Sequence, residues 1–188
     1  MTGGEMVSRV LDERRLARAA DVGGPPAEDS LALLLLRGPL EGFELEEHAR
    51  SLLSIPRVIA LEATRARAPR VLREGAALRQ ARRLRFPGRV RLLVLYHPAQ
   101  YALARALRDR HDAELWYVEP HPEDSWVRGG DQELTESDAL ARERADALLT
   151  RTDATTIQDA ALRERLHQLD VINPYAFVPD GHRWRRRM

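Results

Sequence analysis

The chain contains no cysteine. That absence removes disulfides, thiolate metal sites, cysteine nucleophiles and iron–sulfur clusters together. Lysine is missing too, so all 30 basic residues are arginine, which a GC-rich coding genome explains as readily as a need for guanidinium chemistry. The formal charge is only +1, and no global excess of either sign marks the chain for nucleic acid or membrane. Long apolar runs are lacking as well. The longest, Leu31 to Leu36, is far too short to span a bilayer, and the N-terminus Met1-Thr2-Gly3-Gly4-Glu5 has no positive region followed by an apolar one. No membrane span and a cytoplasmic location are expected.

What is present suits a packed fold. At 188 residues, 44% hydrophobic and 31% charged, the chain has enough apolar surface for a real core without a covalent staple. Residues 1–28 read as an N-terminal arm and linker. Glu5 to Ala20 reads as a helical arm in which Arg14 and Arg15 interrupt the apolar set Val7, Val10 and Leu11. Gly23-Gly24-Pro25-Pro26 then breaks the helix. The folded domain is expected over residues 29–181, with a basic tail over 182–188.

Within that domain strand-like and helix-like runs alternate. Ser30 to Arg37, Arg57 to Glu62, Val90 to Tyr96 and Glu114 to Glu119 read as strands, with Ala147 to Thr152 a short fifth and Val171 to Val178 a last one. Helices are expected over Glu44 to Ser54, Val71 to Leu84, Ala99 to Asp109, Ser137 to Ala147 and Ala160 to Leu169. In the first of these Leu45, Ala49, Leu52 and Leu53 form one stripe. Strands separated by helices read as right-handed βαβ crossovers, giving a doubly wound, mainly parallel, Rossmann-like α/β sheet. The first three strands, apolar on both faces, are expected to be fully buried.

In such a sheet the working surface lies at the carboxyl ends of the strands. Gly38 and Gly42 follow the first strand. They flank a turn that can present amides to an anion, or simply reverse the chain, and they form neither G-x-G-x-x-G nor a P-loop. Glu62 ends the second strand, where a dinucleotide-binding fold keeps its ribose carboxylate. His97 ends the third, followed by Gln100 and Tyr101. Its imidazole is a candidate general base or a structural residue satisfied by backbone, and Glu119 or Asp124 on the next strand end would orient it. Trp126 and Asp153 complete the ligand-binding candidates. His121, Glu123 and Asp124 share one proline-rich loop without a further partner at ligand spacing, so neither a metal nor a cofactor is implied. The arginines from Arg65 to Arg91 are opposed only by Glu74. They read as a solvated helix face in preference to a nucleic-acid interface. The tail Arg183-Trp184-Arg185-Arg186-Arg187 reads either as a disordered end or as a docking element for an acidic partner.

Four passages resemble the N-terminal, acceptor-side half of GT-B glycosyltransferases of the bacterial cell-surface polysaccharide type. RVIALEA (Arg57 to Ala63) looks like the second strand, and LLVLYHP (Leu92 to Pro98) like the strand ending in an aromatic and a polar residue. ADALLTRT (Ala145 to Thr152) looks like the alanine-aspartate, strand, serine-or-threonine segment, and FVPDG (Phe177 to Gly181) like the turn before the interdomain linker. The resemblance implies a sugar or nucleotide-sugar ligand and a donor-binding second domain. This domain is then expected to be incomplete as an enzyme, needing a partner chain or having lost transfer activity; a protein partner or a homo-oligomer is expected. Two other classes stay open: a non-catalytic interaction module using arm and tail, and a nucleic-acid-associated protein using the arginine stretch.

Overall fold

The computed structural model describes residues 30–41, 45–62, 70–169 and 171, with the backbone alone for 70–73. Five strands form one sheet: β1 (Ser30–Leu36), β2 (Val58–Glu62), β3 (Arg89–Leu95), β4 (Glu114–Val118) and β5 (Ala147–Leu149). Their order is β2-β1-β3-β4-β5, and every neighbouring pair is parallel. The helices are α1 (Glu46–Leu53), α2 (Arg70–Arg83), α3 (Tyr101–His111), α4 (Ser125–Arg128), α5 (Gln132–Arg144) and α6 (Ala160–Gln168), with a 3₁₀ turn over Pro98–Gln100 leading into α3.

Both faces of the sheet are covered, as in a doubly wound fold. One face carries Ala32, Leu34, Leu36, Val94, Tyr96 and Trp116 against Ala49 and Leu52 of α1 and Leu162 and Leu166 of α6. The opposite face carries Leu33, Leu35, Leu93, Leu95, Leu115 and Tyr117 against Ala77 and Ala81 of α2, Ala104 and Leu107 of α3 and Ala141 of α5. Alternate residues of one strand thus feed two cores, which is why β1 reads as an unbroken leucine run.

The strands lie where the sequence places them, and several boundaries move for local reasons. Burial is complete in β1 from Leu31 to Leu36, but Ile59 in β2 and Arg91 in β3 are only half-buried. The expectation of full burial therefore fails for these two strands. β2 is an edge strand, and Arg91 lies near the start of β3. Helix α5 begins five residues earlier than expected, because the Asp131 carboxylate accepts from Leu134 N at 3.0 Å and caps it. It stops at Arg144, since Ala145 is extended and Asp146 is tied to β4. The Asp146 amide donates to Leu115 O at 2.7 Å, and its carboxylate accepts from Leu115 N at 2.8 Å. β5 is shorter than expected, with Arg151 making only an isolated bridge to Ile157. Helix α4 lies between the fourth strand and the helix expected from Ser137, where no helix was expected, and Gly130, at φ 63°, turns the chain into α5.

The expected N-terminal arm, the strand from Val171 onward, FVPDG and the basic tail lie outside the described residues, apart from Val171 itself. No helix among the described residues is long and apolar enough to cross a membrane.

Candidate functional site

The order 2-1-3-4-5 reverses direction between β1 and β3, and in doubly wound folds the carboxyl ends of the strands at that point are where ligands bind. Arg37 and Gly38 leave β1 there, and Tyr96 and His97 leave β3. His97 is 8% exposed. Its Nδ1 meets the Ala99 backbone N–H at 3.1 Å, capping the 3₁₀ turn, and its Nε2 meets Arg37 Nη1 at 3.0 Å. Trp126 of α4 packs edge-on against the ring, with centroids 5.9 Å apart. Three chemistries therefore share one place: a guanidinium, an imidazole and a half-buried indole.

Other expected residues of this edge tie its loops to the strands. Gln100 is buried and its side-chain amide donates to Leu36 O, fastening the 3₁₀ turn to the end of β1. Glu62 accepts from Leu40 N at 3.2 Å and holds the loop after β1. Tyr101, the first residue of α3, is buried in the core, and burial pushes its phenol up from the usual range. A Cβ built at Gly38 would meet nothing within 4 Å, so packing does not demand glycine there. Gly42 lies outside the described residues.

The two carboxylates considered as partners for His97 each have an arginine. Glu119 accepts from Arg142 Nη1 and from Thr150 Oγ1, the latter at 3.2 Å. Both oxygens of Asp124 accept from Arg151 Nη1, at 3.0 and 2.9 Å, and its Oδ2 also accepts from His121 N at 2.9 Å. Asp153 is fully exposed and folds back on its own loop, accepting from Thr155 N and Thr156 N, both at 2.8 Å. Those bonds, the Thr155 amide first, hold its carboxyl at about 2. Among the described residues no group of three or more His, Asp or Glu is arranged to hold a metal ion.

A second polar chain, absent from the expectations, lies on the opposite face of β3. Tyr96 Oη and His48 Nδ1 are 3.0 Å apart, and His48 Nε2 lies 3.4 Å from Asp159 Oδ2. Asp159 in turn accepts from Arg163 Nε at 2.7 Å. Burial lowers the His48 pKa, with Asp159 partly opposing, and burial raises Tyr96. The signal in the sequence is positional: His48 stands at i+3 from Leu45, inside the apolar stripe of α1.

These features define the molecule as a doubly wound α/β domain with a polar side-chain cluster at its topological switch point. No family model, curated protein or solved structure matches the chain.

Proposed function

We propose that this is a glycosyltransferase-like ligand-binding domain, equivalent to the acceptor-side half of a GT-B enzyme, which takes a sugar or nucleotide-sugar ligand at the carboxyl ends of β1 and β3. The observation that carries this reading is the convergence of Arg37, His97 and Trp126 at that edge. An indole offers a flat apolar wall for a sugar ring, and the imidazole and guanidinium offer polar contacts to its hydroxyl or phosphoryl oxygens. The resemblance noted in the sequence supports it, since three of its passages fall on β2, β3 and β5. On this reading the donor-binding half belongs to a second domain or partner chain, and the domain by itself binds without turning over.

The test is a titration followed by the indole signal of Trp126 and the ring signals of His97, using a panel of nucleotide sugars and uncharged glycosides. Saturable perturbation of both residues by a member of the panel, lost in Trp126→Ala, is expected. Perturbation spread over the surface, or none, would remove this edge as a ligand site.

A further inference from the structure

Helices α2 and α3 lead into the first residues of β3 and β4, so their last turns lie at the opposite end of the sheet from His97. Between those turns runs an open groove of about 250 Å³, lined by Leu78, Ala81 and Arg82 of α2 and by Ala106, Asp109 and Arg110 of α3. The two helices are tied together on either side of it. Toward their starts Arg105 of α3 lies 3.5 Å from Glu74 of α2, and toward their ends Arg110 donates to the carbonyls of Ala81 and Leu84, the latter at 3.1 Å. Ala81 is fully buried and forms the floor, whereas Leu78 on the wall is 44% exposed. An exposed leucine beside an apolar floor is a seat for an apolar side chain from another molecule.

The rim of this groove is cationic. Arg105 and Glu74 offset each other, as do Arg89 and Asp112 at 3.9 Å. Arg85 and Arg110 donate to carbonyls, which leaves their charge uncompensated. Among the described residues no carboxylate lies within ion-pair distance of Arg79, Arg82 or Arg83, all of them exposed. Five guanidinium groups therefore stand on or beside the groove against the one carboxylate of Asp109. We propose that the α2/α3 groove is a docking site for an acidic segment of a partner protein. The segment seats one apolar side chain on Ala81, between Leu78 and Ala106, and sets its carboxylates against Arg79, Arg82 and Arg83. Asp109 separates this occupant from nucleic acid and from an anionic membrane. A carboxylate in the groove wall repels phosphate but accepts from the backbone N–H of a peptide, and a concave apolar floor fits a side chain better than a flat lipid surface.

The experiment uses the full ¹⁵N-labelled chain and short synthetic peptides of glutamate and alanine with leucine, phenylalanine or tryptophan at one central position. Peptides with alanine at that position, and peptides with arginine in place of glutamate, are the controls. At least one acidic peptide with an apolar centre is expected to bind about tenfold tighter than its alanine counterpart, shifting amides of residues 74–85 and 105–112. Leu78→Ser and Arg82→Glu, both at exposed positions, should each weaken that binding about tenfold while circular dichroism stays unchanged. A peptide with one glutamate exchanged for arginine should bind Arg82→Glu better than it binds the wild type. Equal binding with and without the apolar residue would reduce the site to charge attraction and overturn the groove, as would shifts elsewhere or no binding by any acidic peptide. Tighter binding of phosphatidylserine vesicles or of single-stranded RNA at the same residues would overturn the acidic segment in favour of another polyanion. Dimerisation seen in sedimentation and lost in Leu78→Ser would give the groove to a second copy of the chain and overturn the proposal as well.

Discussion

Arg151 and Asp124 are paired inside the protein, with side chains only 5% and 10% exposed and Arg151 Nη1 2.9 Å from Asp124 Oδ2. Arg151 also donates to Ala154 O, so the pair ties the loop after β5 to the loop that launches α4. Removing one partner of such a pair leaves a buried charge uncompensated, which costs about 3–5 kcal/mol. Asp124→Ala should lower the urea-unfolding free energy by roughly that amount. The double variant Asp124→Leu/Arg151→Met should recover most of the loss, because it removes both charges. A single-variant loss below about 1 kcal/mol would show that the pair is solvated and worth no more than a surface ion pair.

His48 gives the stability a pH dependence of defined sign. Burial lowers its pKa in the folded state below 6.5, so the unfolded chain binds the proton more readily. Its contribution is complete above about pH 6.5 and is lost as the pH falls from there through the folded value. Asp159, Arg163 and Tyr96 are the charged or titratable groups facing it, with Asp159 limiting the effect. Urea midpoints from pH 5 to 8 should fall toward acid more steeply in the wild type than in His48→Gln. The opposite difference would mean that Asp159 outweighs burial.

Much of this fold was legible because β1 to β4 are short apolar runs between helix-length segments, and a sheet covered on both faces requires that pattern. Two-sided burial also explains what was not legible. His48 occupies a core-facing position of an amphipathic helix, where composition shows only one polar residue in an apolar stripe, and its partner Asp159 is 111 positions away. Asp124 and Arg151 are likewise distant in sequence and meet only because β4 and β5 are neighbours. At the carboxyl edge the strand-end rule named His97 and Trp126, whose rings pack against each other. It passed over Arg37, which looked like the last residue of β1. Asp153, by contrast, was a candidate by position, and its hydrogen bonds are all to its own turn.

The arginine-rich stretch should not make the chain a tight nucleic-acid binder. Arg79, Arg82, Arg83, Arg85 and Arg89 are exposed, spread along α2 and the turn into β3. Some are already engaged: Arg85 donates to the Arg82 carbonyl at 2.7 Å, and Arg89 lies 3.9 Å from Asp112. Binding to mixed-sequence DNA and RNA, measured against salt, should be weak and little changed by neutralising Arg79, Arg82 and Arg83 together. Tight binding that falls steeply between low and physiological salt and disappears in the triple variant would restore the nucleic-acid class.

The chain purified alone should transfer no sugar. Glycosyl transfer from a nucleotide sugar requires the donor diphosphate to be held in line with the acceptor and the charge on the leaving group to be stabilised. The resemblance assigns most of that work to a second domain. At the described carboxyl edge Glu119 and Asp124 are each held by an arginine, Arg142 and Arg151. His97, which caps the 3₁₀ turn through the Ala99 amide and faces Arg37, would on the proposed reading bind or orient a ligand without completing the reaction. Incubating the pure protein with a panel of nucleotide sugars and candidate acceptors should release nucleotide at the rate seen with His97→Ala. Activity appearing only when a second protein is added would identify the donor half, whereas robust turnover by the wild type alone, lost in His97→Ala, would make this domain a complete enzyme.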